Sequence, residues 1–386
     1  DTPAKQKECA ASKPEQFKLI ENLVSNVWCR QMEQVLAQSH QMRKEAHDTG
    51  PIAELEFWRS ISVKFNYLLE QIRSNRVRWS MQTLQFGKSR IVKSWIEYEA
   101  QVTDRANEAK DNVKFLNSLE QVCTPLYCAN PEPMMECIPN LISVVTNIYN
   151  ISRYYNTANR LTSLYVKVTN QMVNSLRKFM TDNDQNMIWD QSSDNLISKI
   201  SKVDDLFECY KKNFQFAKQK LQQEAEAAGK EDFELSEMYI FGKLEYFKSR
   251  LEKISKIINI IENYDILLTT KMEGIEPIAV KYKSIISAIK NKPYDVLDTR
   301  KNEFNKDYAT FLDNIYQVEM QFVTFMDQCF EKTVHSDSSM ALISRFKGLK
   351  LPFLDSFIRE KYTYCLSQYV KQMEYIRKSF LKYKED

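Results

Sequence analysis

Apolar residues recur along this chain at alternating steps of four and three. One run reads Ile240, Leu244, Phe247, Leu251, Ile254, Ile258 and Ile261. A second reads Phe304, Tyr308, Phe311, Ile315, Val318, Phe322, Phe325 and Cys329, and a third Tyr362, Leu366, Tyr369, Met373, Ile376, Phe380 and Tyr383. Such steps keep one apolar stripe on one side of a helix. Each run predicts a helix of roughly 20 residues or more, about 30 Å at 1.5 Å per residue. Helices of that length suit rods packed side by side. The seams are rich in Phe, Tyr and Met, which are wide for a two-stranded coiled coil, so multi-helix bundles are expected. Weaker helical patterns cover 15–45, 52–75, 88–120, 138–180 and 194–226. In the fourth, Leu161, Tyr165, Val168, Met172, Leu176 and Phe179 mark the stripe.

Breaks are few. Gly50-Pro51 ends one helix and starts the next, since Gly suits a helix exit and Pro the first turn. Thr124 to Pro139 holds four prolines and reads as a connection between units, with Pro125, Pro131, Pro133 and Pro139 as a candidate joint. Thr181 to Asn186 is a polar turn and Glu224 to Glu234 a charged loop. Lys292-Pro293 and Thr333–Ser339 mark two more links. The expected fold is all-α: an elongated array of consecutive helical bundles, about eight or nine long antiparallel helices. The expected division is 1–123, a connection at 124–139, a second bundle at 140–230 and a third at 231–386.

Composition narrows the function classes. Only six of 386 residues are glycine, about a quarter of average usage. Tight hairpins and phosphate loops need glycine's positive φ, which argues against a β-sandwich, a Rossmann domain or a P-loop enzyme. With 54 basic and 51 acidic residues, net charge +3, there is no concentrated basic surface for nucleic acid. Arg73, Arg76 and Arg78 read as a solvated helix face. Eight scattered cysteines suggest free thiols in a reducing compartment. The start, Asp1-Thr2-Pro3, lacks a signal-peptide pattern and suggests a piece of something longer. No apolar run approaches the roughly 18 residues of a membrane span.

Little in the sequence carries chemistry. Gly87-Lys88-Ser89 resembles the end of a phosphate loop, but Gln82 stands where that loop needs its first glycine. Cys123, Cys128 and Cys137 lie near one another without a histidine pair. His40 and His47 sit seven apart with only Cys29 upstream, and His335 is the one other histidine. No nucleophile elbow is present. The basic last seam, with Lys371, Arg377, Lys378, Lys382 and Lys384, has a regular aromatic stripe that a neighbouring helix would cover, so protein packing is preferred to a membrane surface. The reading is no enzyme, no cofactor, no metal, no nucleic acid and no membrane. Partner surfaces are expected at aromatics on helix faces, from among Trp28, Trp58, Trp79, Trp95 and Trp189. The candidate interface residues are Trp28, Trp58, Tyr154 and Tyr155. Bundle core is the competing reading for each tryptophan, and the adjacent tyrosines cannot share one helix face.

Several stretches resemble the N-terminal tail of dynein heavy chains. They are the run Gly50 to Arg59 with its Glu54-x-x-x-Trp58, then Asn112-Val113-Lys114-Phe115-Leu116, then Ile148 to Asn156 with its Ser152-x-Tyr154-Tyr155-Asn156 core. Tyr149 departs from that family, where tryptophan is common. Further on come Ile240 to Leu244, Phe247-x-x-Arg250-Leu251, Tyr294-Asp295-x-Leu297-Asp298 and Phe304-x-x-Asp307-Tyr308-x-x-Phe311. Together they cover residues 50 to 386 in the family's order, in a style that resembles axonemal, outer-arm chains. The resemblance implies a tail without catalytic residues, whose ATPase modules lie outside this chain. It implies association with other dynein heavy chains, intermediate chains and light chains, and docking on the doublet microtubule of a cilium or flagellum. The alternative is a spectrin-like or tethering-type rod unrelated to motors. Residues 1–49 belong either to a dimerisation region or to the first bundle.

Overall fold

The computed structural model describes residues 13–45, 49–185, 187–227, 229, 234–333 and 335–385; Asp1-Thr2-Pro3 and His47 lie outside them. The described residues are helical, with no strand among them. The first rod is α1 (Pro14–Leu23), a π-helical segment (Val24–Cys29) and α2 (Arg30–Glu45) in unbroken succession. Then come α3 (Pro51–Ile72), α4 (Asn75–Phe86), α5 (Ile91–Val122), α6 (Pro131–Ile151) and α7 (Ala158–Met180). They are followed by α8 (Ser193–Ala227), α9 (Glu237–Tyr264) and the single turn α10 (Ile266–Thr269). The chain finishes with α11 (Glu276–Lys290), α12 (Glu303–Glu331), α13 (Ser336–Gly348) and α14 (Leu354–Glu385). Its contacts divide it into two units, residues 1–186 with 198–246, and residues 187–197 with 247–386.

Local chemistry sets the ends of these helices. Gly50 precedes Pro51, which opens α3. A side chain at Gly50 would strike the Tyr127 hydroxyl and Gln171, so the glycine is there for close approach. Asn130 caps α6 by accepting from Glu132 N at 3.2 Å, and Thr157 caps α7. Asp182, Asn183 and Asp184 all take positive φ after α7, a conformation their short polar side chains tolerate best after glycine. Gly87-Lys88-Ser89 proves to be another helix exit. The Phe17 ring packs where a Gly87 side chain would be, Lys88 has φ 53°, and Ser89 Oγ donates to Glu21.

Two expectations need correcting. The proline-rich stretch is only a short turn: Thr124–Tyr127 form one 3-10 turn, and α6 starts at Pro131 and runs through Pro139. Pro131 occupies the first helical turn, which needs no N–H, and Pro139 lies on an exposed side of the helix. The turn is also tied down. Ser175 Oγ donates to Leu126 O at 2.6 Å, and the Tyr127 hydroxyl accepts from Ile52 N at 3.3 Å. The 138–180 pattern, conversely, is two helices, parted by a loop at 152–157.

In the first unit, α3 and α5 run antiparallel. Arg59 bonds Asn117 and Glu120, while Arg73, fourteen residues later, bonds Thr103 and Glu99. The α7 stripe from Leu161 to Leu176 is buried as expected. Tyr165, Phe214 and Phe241 meet edge to face at 5.0–5.1 Å. In the second unit α12 runs in the same direction as α9. Lys253 bonds Asn305 and Tyr264 bonds Glu319, with α11 lying antiparallel to α12. Phe322 centres that core, edge to face with Phe325, Phe346 and Phe353. The seams on α9 and α12 are buried except at Ile261, Tyr308 and Cys329, which are half-buried. The α14 seam is not: Leu366 is 66%, Ile376 59% and Phe380 69% exposed.

Replacing Phe322 with alanine removes a fully buried ring from that cluster. A loss of about 3–5 kcal/mol is expected, read by denaturant unfolding.

Candidate functional site

Two groups of buried polar side chains form knots, one in each unit. The first begins with Glu54 in the opening turn of α3, where a carboxylate is favoured by the helix N-terminus. Trp58 follows one turn later, so its indole N–H reaches Glu54 Oε1 at 3.0 Å and the Tyr155 hydroxyl at 3.1 Å. Tyr155 in turn donates to the same Glu54 oxygen. Burial raises the Tyr155 phenol well above its ordinary range, and the Glu54 charge adds to the rise, so the hydroxyl stays a donor. From α7, Lys167 places its ammonium 3.4 Å from Glu54 Oε2 and donates to Thr49 Oγ1 at 3.0 Å. Arg160 spreads its guanidinium over the rings of Trp58 and Tyr155, 5.5 and 5.4 Å from their centres, and pairs with the buried Glu108 of α5. Helices α3, α5 and α7 are thus joined through charge-assisted bonds.

The loop that delivers Tyr155 is built by Ser152. Its Oγ accepts from the backbone N–H of Tyr154 and Tyr155, at 3.2 and 3.1 Å, and donates to Asp111. Asp111 also accepts from Arg153 N, which fastens the loop to α5. This turn sends the two neighbouring tyrosines in opposite directions. Tyr155 is 2% exposed, while Tyr154 lies half-buried under the Arg153 guanidinium, 5.6 Å from its ring centre.

The second knot centres on Arg250 of α9, which is 4% exposed. Its two terminal nitrogens donate to Val296 O at 2.8 Å and Lys301 O at 3.1 Å, and its plane lies 4.7 Å from the Phe304 ring centre. One side chain so fixes the loop between α11 and α12. Asp307 of α12 accepts from the Tyr294 hydroxyl at 2.5 Å and from Lys292 at 2.9 Å. Burial pushes the Asp307 carboxyl up, but the hydrogen bonds from Tyr294 and Lys292 outweigh it and hold it below its usual value.

Of the candidate interface residues, Trp58 and Tyr155 are corrected to core, because each is 2% exposed and its polar atom is used inside. Trp28 and Tyr154 stay half-buried. Trp28 lies edge to face with the buried Trp95 at 6.1 Å, and lines a groove of about 640 Å³ with Val27, Gln31, Tyr67 and Ile72. Tyr154 lines a smaller polar hollow of about 420 Å³ with His40, Arg105 and Arg153. Trp79 is 41% exposed and Trp189 half-buried. Cys123 is buried, Cys137 half-buried and Cys128 exposed. Burial pushes the Cys123 thiol up to about 12 and the Cys137 thiol to about 11. Among the described residues no group of three His, Cys, Asp or Glu is placed to hold a metal ion, and no helix is long and apolar enough to cross a membrane. Sequence reasoning missed Lys167, Arg160 and Glu108. Their one signal was charge falling on helices whose stripes are buried.

Two outcomes follow from this geometry. Arg250→Lys keeps the charge but cannot span both carbonyls, so it is expected to lower stability by about 1–3 kcal/mol in denaturant unfolding. Asp307 has a depressed folded-state pKa. Its contribution is therefore present above the unfolded value, about 3.9, and is lost as pH falls through the folded one. The stability gap between the native chain and Asp307→Asn should close on acidification below about pH 4.

The model of the family "dynein heavy chain, N-terminal region 1" matches residues 18–386. Dynein axonemal heavy chain 8 of Mus musculus is 41% identical over 377 residues, which is 98% of this chain. Dynein axonemal heavy chain 5 of Mus musculus is 41% identical over 376 residues, 97% of this chain. The dynein gamma chain of the flagellar outer arm of Chlamydomonas reinhardtii is 29% identical over 359 residues, or 92%. The chain spans about 8% of the length of each of these relatives. Several of the stretches that resembled dynein tails meet in the two knots: Glu54 and Trp58 with Tyr155, and Arg250 with the 294–304 segment. A match over nearly the whole chain excludes a rod unrelated to motors, and this chain belongs to the dynein heavy-chain family, as its N-terminal region 1.

Proposed function

We propose that this chain is a scaffold segment of an axonemal dynein heavy-chain tail, with no chemistry of its own. In this role it helps bring heavy chains together and carries intermediate and light chains. The assembled motor docks through it on the doublet microtubule of a cilium or flagellum. The observation that carries the reading is the use made of the polar family residues. Glu54, Trp58, Tyr155, Arg250 and Asp307 are all spent on fastening helices and loops to one another. A ligand site would leave such groups converging on open space. Force can pass along helices held this way, because sliding one past another would strip partners from buried charges. The axonemal and flagellar names of the relatives support the location.

Partner surfaces in this reading are the Trp28 groove, with Val27 and Tyr67 open at its rim, and the hollow at Tyr154. Affinity capture from ciliary extract with this chain as bait is expected to recover dynein intermediate chains, light chains or other heavy chains. Tyr67→Glu and Tyr154→Ala, at positions outside the knots, should reduce that recovery without moving the unfolding midpoint. Recovery of only unrelated cytoskeletal or vesicle proteins would overturn the proposal.

A further inference from the structure

The hollow at Tyr154 gathers charge from three elements of the first unit. His40 comes from α2, Asp104, Arg105 and Glu108 from α5, and Arg153 with Tyr154 from the loop before α7. Glu108 is buried and is answered twice, by Arg160 of α7 and by Arg105 Nη1 at 2.8 Å. Arg105 turns its other terminal nitrogen to His40 Nε2, at 3.3 Å. A neutral imidazole nitrogen is a modest acceptor for a guanidinium, and a carboxylate is a much stronger one. Arg153 is exposed. Its guanidinium lies over the Tyr154 ring, 5.6 Å from the centre, and pairs with no carboxylate among the described residues. Stacking of this kind holds the planar fork in place and leaves its edge donors open to a ligand.

The balance of charge decides which anion fits. Arg105, Arg153 and Arg160 stand against Asp104 and Glu108, a surplus of one positive charge. A dianionic phosphoryl group would overshoot that surplus and would face the exposed carboxylate of Asp104. A single carboxylate balances it, and guanidinium forks suit its paired oxygens. Leu36, buried in α2, adds an apolar patch to the lining. That patch suits a carboxylate carried on a short aliphatic stem, as on glutamate or aspartate. A hollow of about 420 Å³ is of small-ligand size. It admits the tip of a partner segment and is too small for a whole helix, which is about 10 Å across.

We propose that the hollow between α2, α5 and the 152–157 loop is a socket for an acidic side chain, presented by an exposed segment of another chain of the dynein complex. This rests on reading the chain as part of a heavy-chain tail, and it gives one surface of that tail the chemistry by which it selects a partner. The incoming carboxylate takes the Arg105 nitrogen from His40 and meets the open fork of Arg153. Glu108 keeps Arg160 and Arg105 Nη1, so the first knot is undisturbed.

A benzophenone photo-crosslinking amino acid at Gln101, which is exposed on the same lining, tests it in the full-length heavy chain assembled with its associated chains. Mass spectrometry of the crosslinked peptides is expected to show a segment of another dynein chain with an aspartate or glutamate beside the point of attachment. Arg153→Glu should cut the yield of that crosslink roughly tenfold or more, the scale of a close charge pair across an interface. Changing the partner's acidic residue to lysine should restore the yield in the Arg153→Glu chain, a result that a merely structural Arg153 could not give. The proposal is overturned by the absence of any crosslink to another chain, or by a crosslinked segment without an acidic residue. It is equally overturned by a crosslink that phosphatase treatment abolishes, by a yield indifferent to Arg153→Glu, or by failure of the reversal to restore it. Dynein chains recovered in the capture experiment alongside any of these results would remove the socket alone, whereas failure of that capture would strike the tail reading itself.

Discussion

A carboxylate drawn into a helical bundle sets the terms for the first unit. Glu54 has a side chain only 12% exposed, and removing a carboxylate from water is costly unless its oxygens are answered by donors and opposite charge. Trp58, Tyr155 and Lys167 supply them, from the next turn of α3, the loop before α7 and α7 itself. Each donor is held by something further out. Ser152 sets the loop that aims Tyr155, Asp111 holds that loop on α5, and Arg160 lies across both aromatic rings while pairing with Glu108. Satisfying one charge therefore fixes how three helices lie against one another.

The second unit solves a related problem with a cation. Arg250 is almost fully buried and meets backbone carbonyls rather than a carboxylate. Its planar fork suits two acceptors at once, which an ammonium does not. The loop from Asn291 to Asn302 buries Val296 and Leu297, and the arginine adds a polar hold that fastens it to α9. Lys292, Tyr294 and Asp307 then close the mouth of the loop against α12. Both knots follow one rule. Apolar stripes provide most of the driving force but slide easily in register, whereas buried polar pairs accept only one alignment.

That division of labour gives Glu54, Ser152 and Arg250, which lie in the family stretches, a role that apolar packing alone cannot fill. It also separates inward from outward aromatics. Trp58 and Tyr155 are rings with a polar atom that must find a partner inside. Trp28, Tyr67 and Tyr154 sit at grooves and hollows where the helices do not close, and those are the surfaces a scaffold has to offer.

The helical character, the seams on α9 and α12, the α7 stripe and the break at Gly50-Pro51 were all legible in the sequence. Each is a local property, set by side-chain period or by the backbone of one or two residues. The separate α4, the helix through Pro139 and the same direction of α9 and α12 were not, since each depends on what packs alongside. The family stretches could be recognised one by one. That Glu54 meets Tyr155 across a hundred residues, or that Arg250 grips the 296–301 loop, only the tertiary structure decided. A hydrogen bond needs two groups at one place, and sequence gives the groups without the place. The α14 stripe draws the boundary most clearly. Its period was written in the chain, but whether a neighbour covers it depends on the path of the polypeptide through space.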